Sequence, residues 1–154
     1  MTMNSQTRVV LKPEQIPPVA IDFMNNTHFE EIAMVQDLGN MIEKYQASPQ
    51  QTDEQRNAIT QALENWFQHT QAHFSRENEL MNEVHFPAYA VHAEEHSNAL
   101  ARLREILDSW NLNHDIESLA DYIFTIWPGW FSRHVQTMDA MTAKFAILNG
   151  FEPE

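Results

Sequence analysis

The sequence predicts an all-α protein, an up-down-up-down four-helix bundle that carries an extended N-terminal arm. Two observations argue against strands: the 154 residues include only three glycines, and no Asn-Gly or Asp-Gly pair stands between alternating apolar residues as a hairpin signal. A third observation favours helices, because apolar residues recur at steps of three and four along four long segments. A chain of this length can bury a sizeable core as one domain.

The arm and the first helix come first along the chain. We expect residues 1–19 to form the arm and residues 20–154 the bundle, because proline bars the helical conformation in the residue before it. The prolines of the arm are Pro13, Pro17 and Pro18. The first helix is predicted to start within residues 22–27 and to end at about Tyr45. Its inward face comprises His28, Ile32, Val35, Ile42 and Tyr45.

The segment ASPQQ separates the first helix from the second. We predict Ser48 as the N-cap of the second helix, Pro49 at its first position and Gln51 in the capping-box position. This helix is expected to run to about Val84. Its inward face comprises Ile59, Leu63, Trp66, Thr70, His73, Glu77, Leu80 and Val84.

The third helix is predicted to begin at Pro87 and to continue to about Trp110. Two histidines and several apolar residues recur along it at alternating steps of three and four, which is typical of the inward seam of a bundle. This seam comprises Tyr89, His92, His96, Ala99, Leu103, Ile106 and Trp110.

The fourth helix follows the polar break WNLNHD, in which Asn111 or Asn113 can serve as its N-cap. We expect it to run to about Leu148. The stop signals after it are Gly150 and Pro153. The segment WPGW interrupts its pattern, so a kink is predicted near Pro128 and Gly129. The inward face comprises Ile116, Ala120, Ile123, Trp127, Trp130, His134, Met141, Phe145 and Leu148, with Thr137 or Met138 between.

Composition excludes several classes of function. The formal net charge is −13, from 22 acidic and 9 basic residues, which argues against nucleic acid or an anionic membrane surface as a partner. The chain has no cysteine, so any metal site must use histidine and carboxylate. No run reaches the ~20 apolar residues of a membrane span. We therefore expect a cytoplasmic location.

Several histidines and two carboxylates lie on the predicted inward faces. Burying such groups without compensation costs several kcal/mol for each charge, and a metal ion can compensate them. Side chains at i and i+4 of a helix project from one face, one turn apart. The segment HAEEH therefore aims His92 and His96 at one ion, and HFSRE does likewise with His73 and Glu77.

The remaining candidates are His134, Asp139 and His28. His134 and Asp139 stand at i+5, about 140° apart on an ideal helix, so we expect Asp139 to reach in from the flank as a bridging ligand. His28 supplies a further imidazole from the first helix. Five histidines, two bridging carboxylates and one bridging oxygen would leave a single open position on two octahedral metal ions. Such ligands suit several metals.

Four segments in this order, THFEEI, HFSRENELM, HAEEH and WFSRHVQTMD, resemble the hemerythrin family, four-helix bundles with a non-haem di-iron site that binds dioxygen. The resemblance covers about residues 20–148. It implies a cofactor of two iron ions (Fe2+ or Fe3+) with an oxo or hydroxo bridge. By the family pattern one iron takes His92, His96 and His134, the other takes His28 and His73 and keeps the open position, and Glu77 and Asp139 bridge them.

The residues around the candidate ligands also bear on the resemblance. Trp130, one turn before His134, matches an aromatic residue that the family keeps beside the oxygen pocket. The candidates for lining this pocket are Ile32, Phe74, Trp130, Phe131 and His69. His69 is interpreted as a non-ligand that could line the pocket or orient a ligand. Thr142 stands where the family often has a tyrosine.

Two segments look longer than is usual in the family, namely those from His28 to His73 and from His96 to His134. In an up-down bundle, the connection between the first two helices and that between the last two lie at the same end. We therefore predict a bundle that is elongated at this end, by about two turns per helix or ~11 Å.

The resemblance implies a protein that binds dioxygen reversibly, for storage, delivery or sensing, and that is not an enzyme. The histidine-rich ligand set favours this function, since carboxylate-rich di-iron sites are usually those that activate oxygen. Two alternatives stay open. One is an enzyme that turns over peroxide or nitric oxide. The other is an iron or oxygen sensor module that acts through a protein partner, or an oligomer, at the elongated end.

Overall fold

Four long helices form the protein in its computed structural model, which describes residues 8–152. The first three are α1 (Asp22–Ala47), α2 (Asp53–Glu83) and α3 (Tyr89–Asn113). The fourth, α4, spans residues 116–148 without a break. No strand occurs within the described range, and short connections join consecutive helices. The all-α four-helix bundle predicted from the sequence is confirmed.

Two wide turns divide α4 into three α-helical segments. The α-helical segments are Ile116–Asp121, Trp127–His134 and Ala140–Leu148. The turns between them are π-helical and comprise Tyr122–Ile126 and Val135–Asp139. Proline lacks a backbone N–H, and its ring clashes with the carbonyl group four residues earlier in an α-helix. The interruption predicted near Pro128 and Gly129 thus takes the form of a π turn that ends just before Pro128.

The inward face of α4 differs from the prediction in its last third. Met141 and Leu148 were expected inside, but 64% and 74% of their surface is exposed. Thr142, Ala143 and Ala146 are buried instead. The prediction was wrong because it assumed one continuous α-helical period, whereas the second π turn takes up an additional residue and shifts the buried face along the chain.

The connection between α1 and α2 also differs from the prediction. Ser48 does not cap α2; it ends α1, where its hydroxyl donates to the carbonyl oxygen of Lys44 at 2.7 Å. The N-cap of α2 is Thr52, whose hydroxyl oxygen accepts from the backbone N–H of Gln55 at 3.1 Å. The Gln55 side chain accepts in turn from the backbone N–H of Thr52 at 3.0 Å. This second capping box, four residues after the first, sets the start of the helix.

The ends of α3 lie two or three residues later than the sequence suggested. Pro87 belongs to the turn before the helix, which begins at Tyr89. At the other end α3 continues through the polar break, and His114 ends it in the left-handed conformation, with φ 51°. Because Asn111 and Asn113 are part of α3, neither caps α4. The N-cap is Asp115, which accepts from the backbone N–H of Ser118 at 3.3 Å.

Two hydrophobic clusters lie on either side of a layer of buried histidines. The larger fills the end that carries the α1–α2 and α3–α4 connections. The smaller closes the other end and comprises Ile21, Met24, Leu80, Ala143 and Ala146. Within residues 8–152 no helix is long and apolar enough to cross a membrane. The unequal clusters place the histidine layer nearer one end of the bundle; a greater length than is usual in the family stays a prediction.

The described part of the arm packs along the bundle. Val10, Leu11 and Ile16 belong to the larger cluster, and a short 3-10 helix covers Pro13–Gln15. A Cβ atom at Gly39 would lie 3.0 Å from Val10 and 3.1 Å from Phe124, so this glycine allows the arm and α4 to approach α1. The division of the chain at residue 19 stays a prediction, and residues 1–7 and Pro153 lie outside the described residues.

Candidate metal centre

The structure brings all seven predicted ligands together in the histidine layer. Two overlapping groups of side chains each have their donor atoms within 4.8 Å of one another. One group comprises Glu77, His92, His96, His134 and Asp139; the other comprises His28, His73, Glu77 and Asp139. Every one of these side chains is buried. Glu77 and Asp139 belong to both groups, which is the arrangement expected for carboxylates between two ions.

On α2 and α3 the four-residue spacing acts as the sequence predicts. The Nε2 atom of His73 lies 2.8 Å from an oxygen of Glu77, one turn along α2. The rings of His92 and His96, one turn apart on α3, have centroids 4.4 Å apart. Each pair therefore points into the same space from a single helix.

On α4 the spacing of five residues has a different explanation from the one expected. The π turn Val135–Asp139 follows His134 directly, and in a π turn the residues at i and i+5 lie one turn apart. The Nε2 atom of His134 is consequently 3.1 Å from Asp139 Oδ1. The expectation that Asp139 reaches in from the flank was wrong, because the angle of ~140° applies only to an ideal α-helix.

The carboxylate of Asp139 divides its two oxygens between the groups. Its Oδ2 atom lies 2.9 Å from His28 Nε2. Its Oδ1 atom lies 3.1 Å from His92 Nε2 and 3.1 Å from His134 Nε2. One oxygen therefore faces each group.

The two carboxylate oxygens of Glu77 likewise face different groups. Its Oε2 atom lies 2.8 Å from His73 Nε2 and 3.9 Å from His28 Nε2. Its Oε1 atom lies 3.1 Å from His96 Nε2 and 3.7 Å from His92 Nε2. Both carboxylates can thus span two cations, and each histidine turns its Nε2 atom inward.

The outward nitrogens of four histidines have polar partners. His92 Nδ1 lies 2.7 Å from the Thr142 hydroxyl, and His96 Nδ1 lies 2.9 Å from the Asn78 side-chain oxygen. The partner of His134 Nδ1 is Glu95, at 2.6 Å, and that of His73 Nδ1 is Glu31, at 3.3 Å. Such partners fix the ring orientation and leave Nε2 for a metal. Thr142, which stands where the family often has a tyrosine, thus contacts a candidate ligand through its hydroxyl.

Glu31 is the principal residue that the sequence analysis missed. It is 2% exposed, and its carboxylate accepts from the indole N–H of Trp66 and from the Thr70 hydroxyl, the latter at 2.8 Å. It also lies 2.9 Å from His69 Nδ1. Burial raises the pKa of Glu31, but the hydrogen bonds from His69 and His73 outweigh this effect and lower it to about 2. Its position one turn after His28, on the inward face of α1, was the available signal.

The ionised carboxylates and the unpartnered inward atoms at the centre are suited to binding cations. Burial lowers the pKa of His134, but the charge of Asp139 outweighs this and raises it to about 9. Burial raises the pKa of Asp139, but the charge of His134 outweighs this effect and holds the pKa well below its usual range. Within the described residues, Glu77 Oε1, His96 Nε2 and Asp139 Oδ1 are buried without a hydrogen-bond partner. Metal ions would supply the partners that these inward atoms lack.

Aromatic rings separate the centre from a larger cavity. Phe74 stacks on His96 with centroids 4.0 Å apart, and Trp130 stacks on His134 at 4.7 Å. Phe131 meets His28 edge-on at 5.7 Å. These three predicted pocket residues also line a cavity of about 410 Å³, whereas Ile32 and His69, the other two, do not. Among the described residues, His69 lies outside both groups, and its interpretation as a non-ligand stays a prediction.

The comparisons with known proteins agree with this geometry. The sequence model of the hemerythrin HHE cation binding domain matches residues 19–146. A bacteriohemerythrin from Aquifex aeolicus is 27% identical over 136 residues, which cover 88% of this chain and 97% of that protein. One from Ralstonia nicotianae is 35% identical over 89 residues, covering 58% of this chain and 64% of the relative.

A third relative, the bacteriohemerythrin of Stenotrophomonas maltophilia, is 30% identical over 106 residues, which cover 68% of this chain and 67% of that protein. No solved structure matches the chain at a significant level. The family match extends over more than half of the chain and includes all seven residues of the buried groups. The chain therefore belongs to the hemerythrin HHE cation-binding domain family.

Proposed function

We propose that the seven buried side chains hold two iron ions and that the protein binds dioxygen reversibly. One observation carries the proposal: two groups of donors overlap in two carboxylates, and each carboxylate turns one oxygen toward each group. Membership of the hemerythrin family supports iron and dioxygen as the metal and the ligand.

The two groups differ in the number of histidines that they supply. His92, His96 and His134 would hold one ion, and His28 and His73 the other. The second ion would have one side chain fewer and would so keep a position for a small molecule. Ferrous ions in both groups would each supply one of the two electrons that reversible binding of dioxygen requires.

The chain's own contribution is to orient the ligands and to exclude water. His28 and His73, beside the open position, have Phe131 and Phe74 as ring neighbours at 5.7 and 5.1 Å. Both phenylalanines are buried. An apolar, dry surrounding of this kind limits the entry of water and protons into the site. It favours release of the bound gas unchanged over its further reaction.

A metal count combined with an optical spectrum tests the proposal. Anaerobically reduced protein should contain two irons per chain and be colourless, then become coloured in air and lose the colour when dioxygen is removed. Replacement of His96 by alanine should lower the metal content, whereas replacement of the exposed His85 should not. Fewer than two metals per chain would contradict the seven-ligand assignment. Two irons that oxidise at once, without a reversible coloured form, would contradict dioxygen binding.

A second candidate function is turnover of peroxide or nitric oxide, and one observation favours it. A line of hydrogen-bonding groups joins His73 to the surface through Glu31, His69 and Glu30, with distances of 3.3, 2.9 and 3.3 Å. The hydrogen bond to Glu31 raises the pKa of His69. An enzyme of this kind needs such a proton path. Rapid decay of the colour with consumption of added peroxide would favour this candidate over the first.

Two further expectations concern the location of the protein and its partners. Location in the cytoplasm stays a prediction. Docking of a protein partner at the end that carries the α1–α2 and α3–α4 connections also stays a prediction, and binding measurements with this end truncated would test it.

A further inference from the structure

A cavity of about 410 Å³ opens between α3 and α4, and a diatomic gas does not account for its size. One water molecule takes about 30 Å³ in the liquid, whereas cavities of roughly 300–1,000 Å³ are typical of sites for organic ligands. We propose that this cavity binds an aromatic carboxylic acid, with its ring among the aromatic walls and its carboxylate at the mouth. The proposal goes beyond dioxygen binding and does not depend on it.

The inner walls of the cavity are suited to an aromatic ring. Six of the lining residues are aromatic: Trp66, Phe74, Tyr122, Trp127, Trp130 and Phe131. Trp127 and Phe131 stack with centroids 4.7 Å apart, and Trp66 meets Trp127 edge-on at 5.7 Å. Stacked and edge-on arrangements are those in which aromatic groups attract one another. The flat ring of an aromatic ligand can therefore make further stacked or edge-on contacts with these walls.

The mouth of the cavity carries unpaired positive charge. Arg102 of α3 and Arg133 of α4 both line it and are exposed. Among residues 8–152, the arginines that form ion pairs are Arg56 and Arg104. Two guanidinium groups without a carboxylate partner favour an anionic ligand at this cavity, although the net charge of the chain is −13. A carboxylate matches the planar array of guanidinium donors.

The two carboxylates in the cavity wall, Glu31 and Glu95, contact other side chains and do not pair with Arg102 or Arg133. Glu95 lies 2.6 Å from His134 Nδ1. Glu31 accepts hydrogen bonds from Trp66 and Thr70 and lies 2.9 Å from His69. Both acids already have partners and are not free to bind a cationic ligand, whereas the two arginines can bind an anionic one.

Calorimetric titration of the metal-loaded protein tests the proposal with 4-phenylbutyrate and its neutral analogue 4-phenylbutyramide. The acid should bind once per chain and about tenfold more tightly than the amide, because charged hydrogen bonds contribute more than neutral ones. Arg102→Gln and Arg133→Gln should each weaken binding of the acid several-fold and reduce its advantage over the amide. Arg104→Gln is the matched control, since Arg104 lies on α3, faces Glu64 at 3.6 Å and is not part of the lining.

A variant that fills the cavity provides a separate test. Ala99 is half-buried in the wall, and Ala99→Trp should abolish binding of both probes while the chain keeps its metal content. Equal affinity for acid and amide, unchanged binding in the two arginine variants, or no binding by the unmodified protein would each overturn the proposal. The metal count and the oxygen spectrum are measured separately, so failure of the dioxygen function is distinguishable from failure of this one.

Discussion

At the scale of single residues, the centre depends on the partners of its ligands as much as on the ligands. Each histidine turns Nε2 inward, and its outward nitrogen decides how firmly that orientation is held. His73 has Glu31 as its partner, and the same carboxylate engages Trp66, Thr70 and His69. Glu31 of α1 therefore connects His73, a candidate ligand of the smaller group, to three other side chains of α2.

Replacement of Glu31 by leucine should weaken metal binding at the smaller group. The substitution leaves His73 Nδ1 without an acceptor, and loss of such a partner typically lowers metal affinity by about 10–100-fold. The expected result is a fall from two metals per chain toward one in competition with a chelator. Glu31→Gln keeps an acceptor oxygen and should restore part of the affinity. Glu30→Gln is the control, because Glu30 is exposed; equal metal content in all three variants would contradict a positioning role for Glu31.

The ligands could be predicted from the sequence because their identity and spacing are distinctive. A histidine pair four residues apart is weak evidence alone, as His69 and His73 show, but the order of the four segments and their position on inward faces are distinctive. Their partners were not predictable in the same way, since Asn78 and Glu95 each stand next to a ligand and resemble ordinary surface residues of a polar helix. Only the folded bundle shows that their side chains reach the neighbouring imidazoles.

At the scale of the helices, the centre depends on the π turn Val135–Asp139. This turn places Asp139 one turn after His134, although the two residues are five positions apart. It also moves the buried face from Met141 to Thr142, whose hydroxyl contacts His92. A regular α-helix with the same sequence would rotate Asp139 away from the other candidate ligands by about 100°.

Deletion of Thr137 should therefore preserve the centre. Thr137 is exposed, and its side chain contacts only the carbonyl oxygen of Arg133, one turn earlier. Without it, His134 and the aspartate stand four positions apart, and an ordinary α-helical turn brings them together. We expect two metals per chain and a higher melting temperature, because a π turn is less favourable than an α turn. Insertion of an alanine after Thr137 is the matched opposite variant. It places His134 and the aspartate six positions apart, so the protein should bind fewer than two metals per chain.

Helix ends and irregular turns are the parts of the fold that could not be predicted from the sequence. The four helices follow from apolar periodicity, which sets their existence but not their ends or irregularities. Ser48 and Thr52 both offer capping sequences, and only the hydrogen bond from Ser48 to Lys44 decides between them. An additional residue within a helix leaves no mark in composition, so the register after His134 was wrong by one residue.

At the scale of the whole molecule, the bundle concentrates opposite charges in a buried layer between two apolar clusters. Burial lowers the pKa of His73, but the charge of Glu77 and the hydrogen bond to Glu31 raise it well above its usual value. The pKa of His134 is raised to about 9. Without metal, both rings carry a proton at neutral pH, and metal ions must displace these protons.

Metal loading should therefore release protons and stabilise the protein more strongly at higher pH. The protonated His134 stabilises the metal-free fold fully below its unfolded pKa of about 6.5, and this stability is lost as the pH rises through about 9. In the metal-loaded protein the histidine rings are neutral, so its stability does not depend on this proton and is not lost as the pH rises. The difference in melting temperature between the two forms should widen from pH 6.5 to pH 9. Calorimetric titration with metal in buffers of different ionisation enthalpy should show proton release, and identical heats in both buffers would contradict this account.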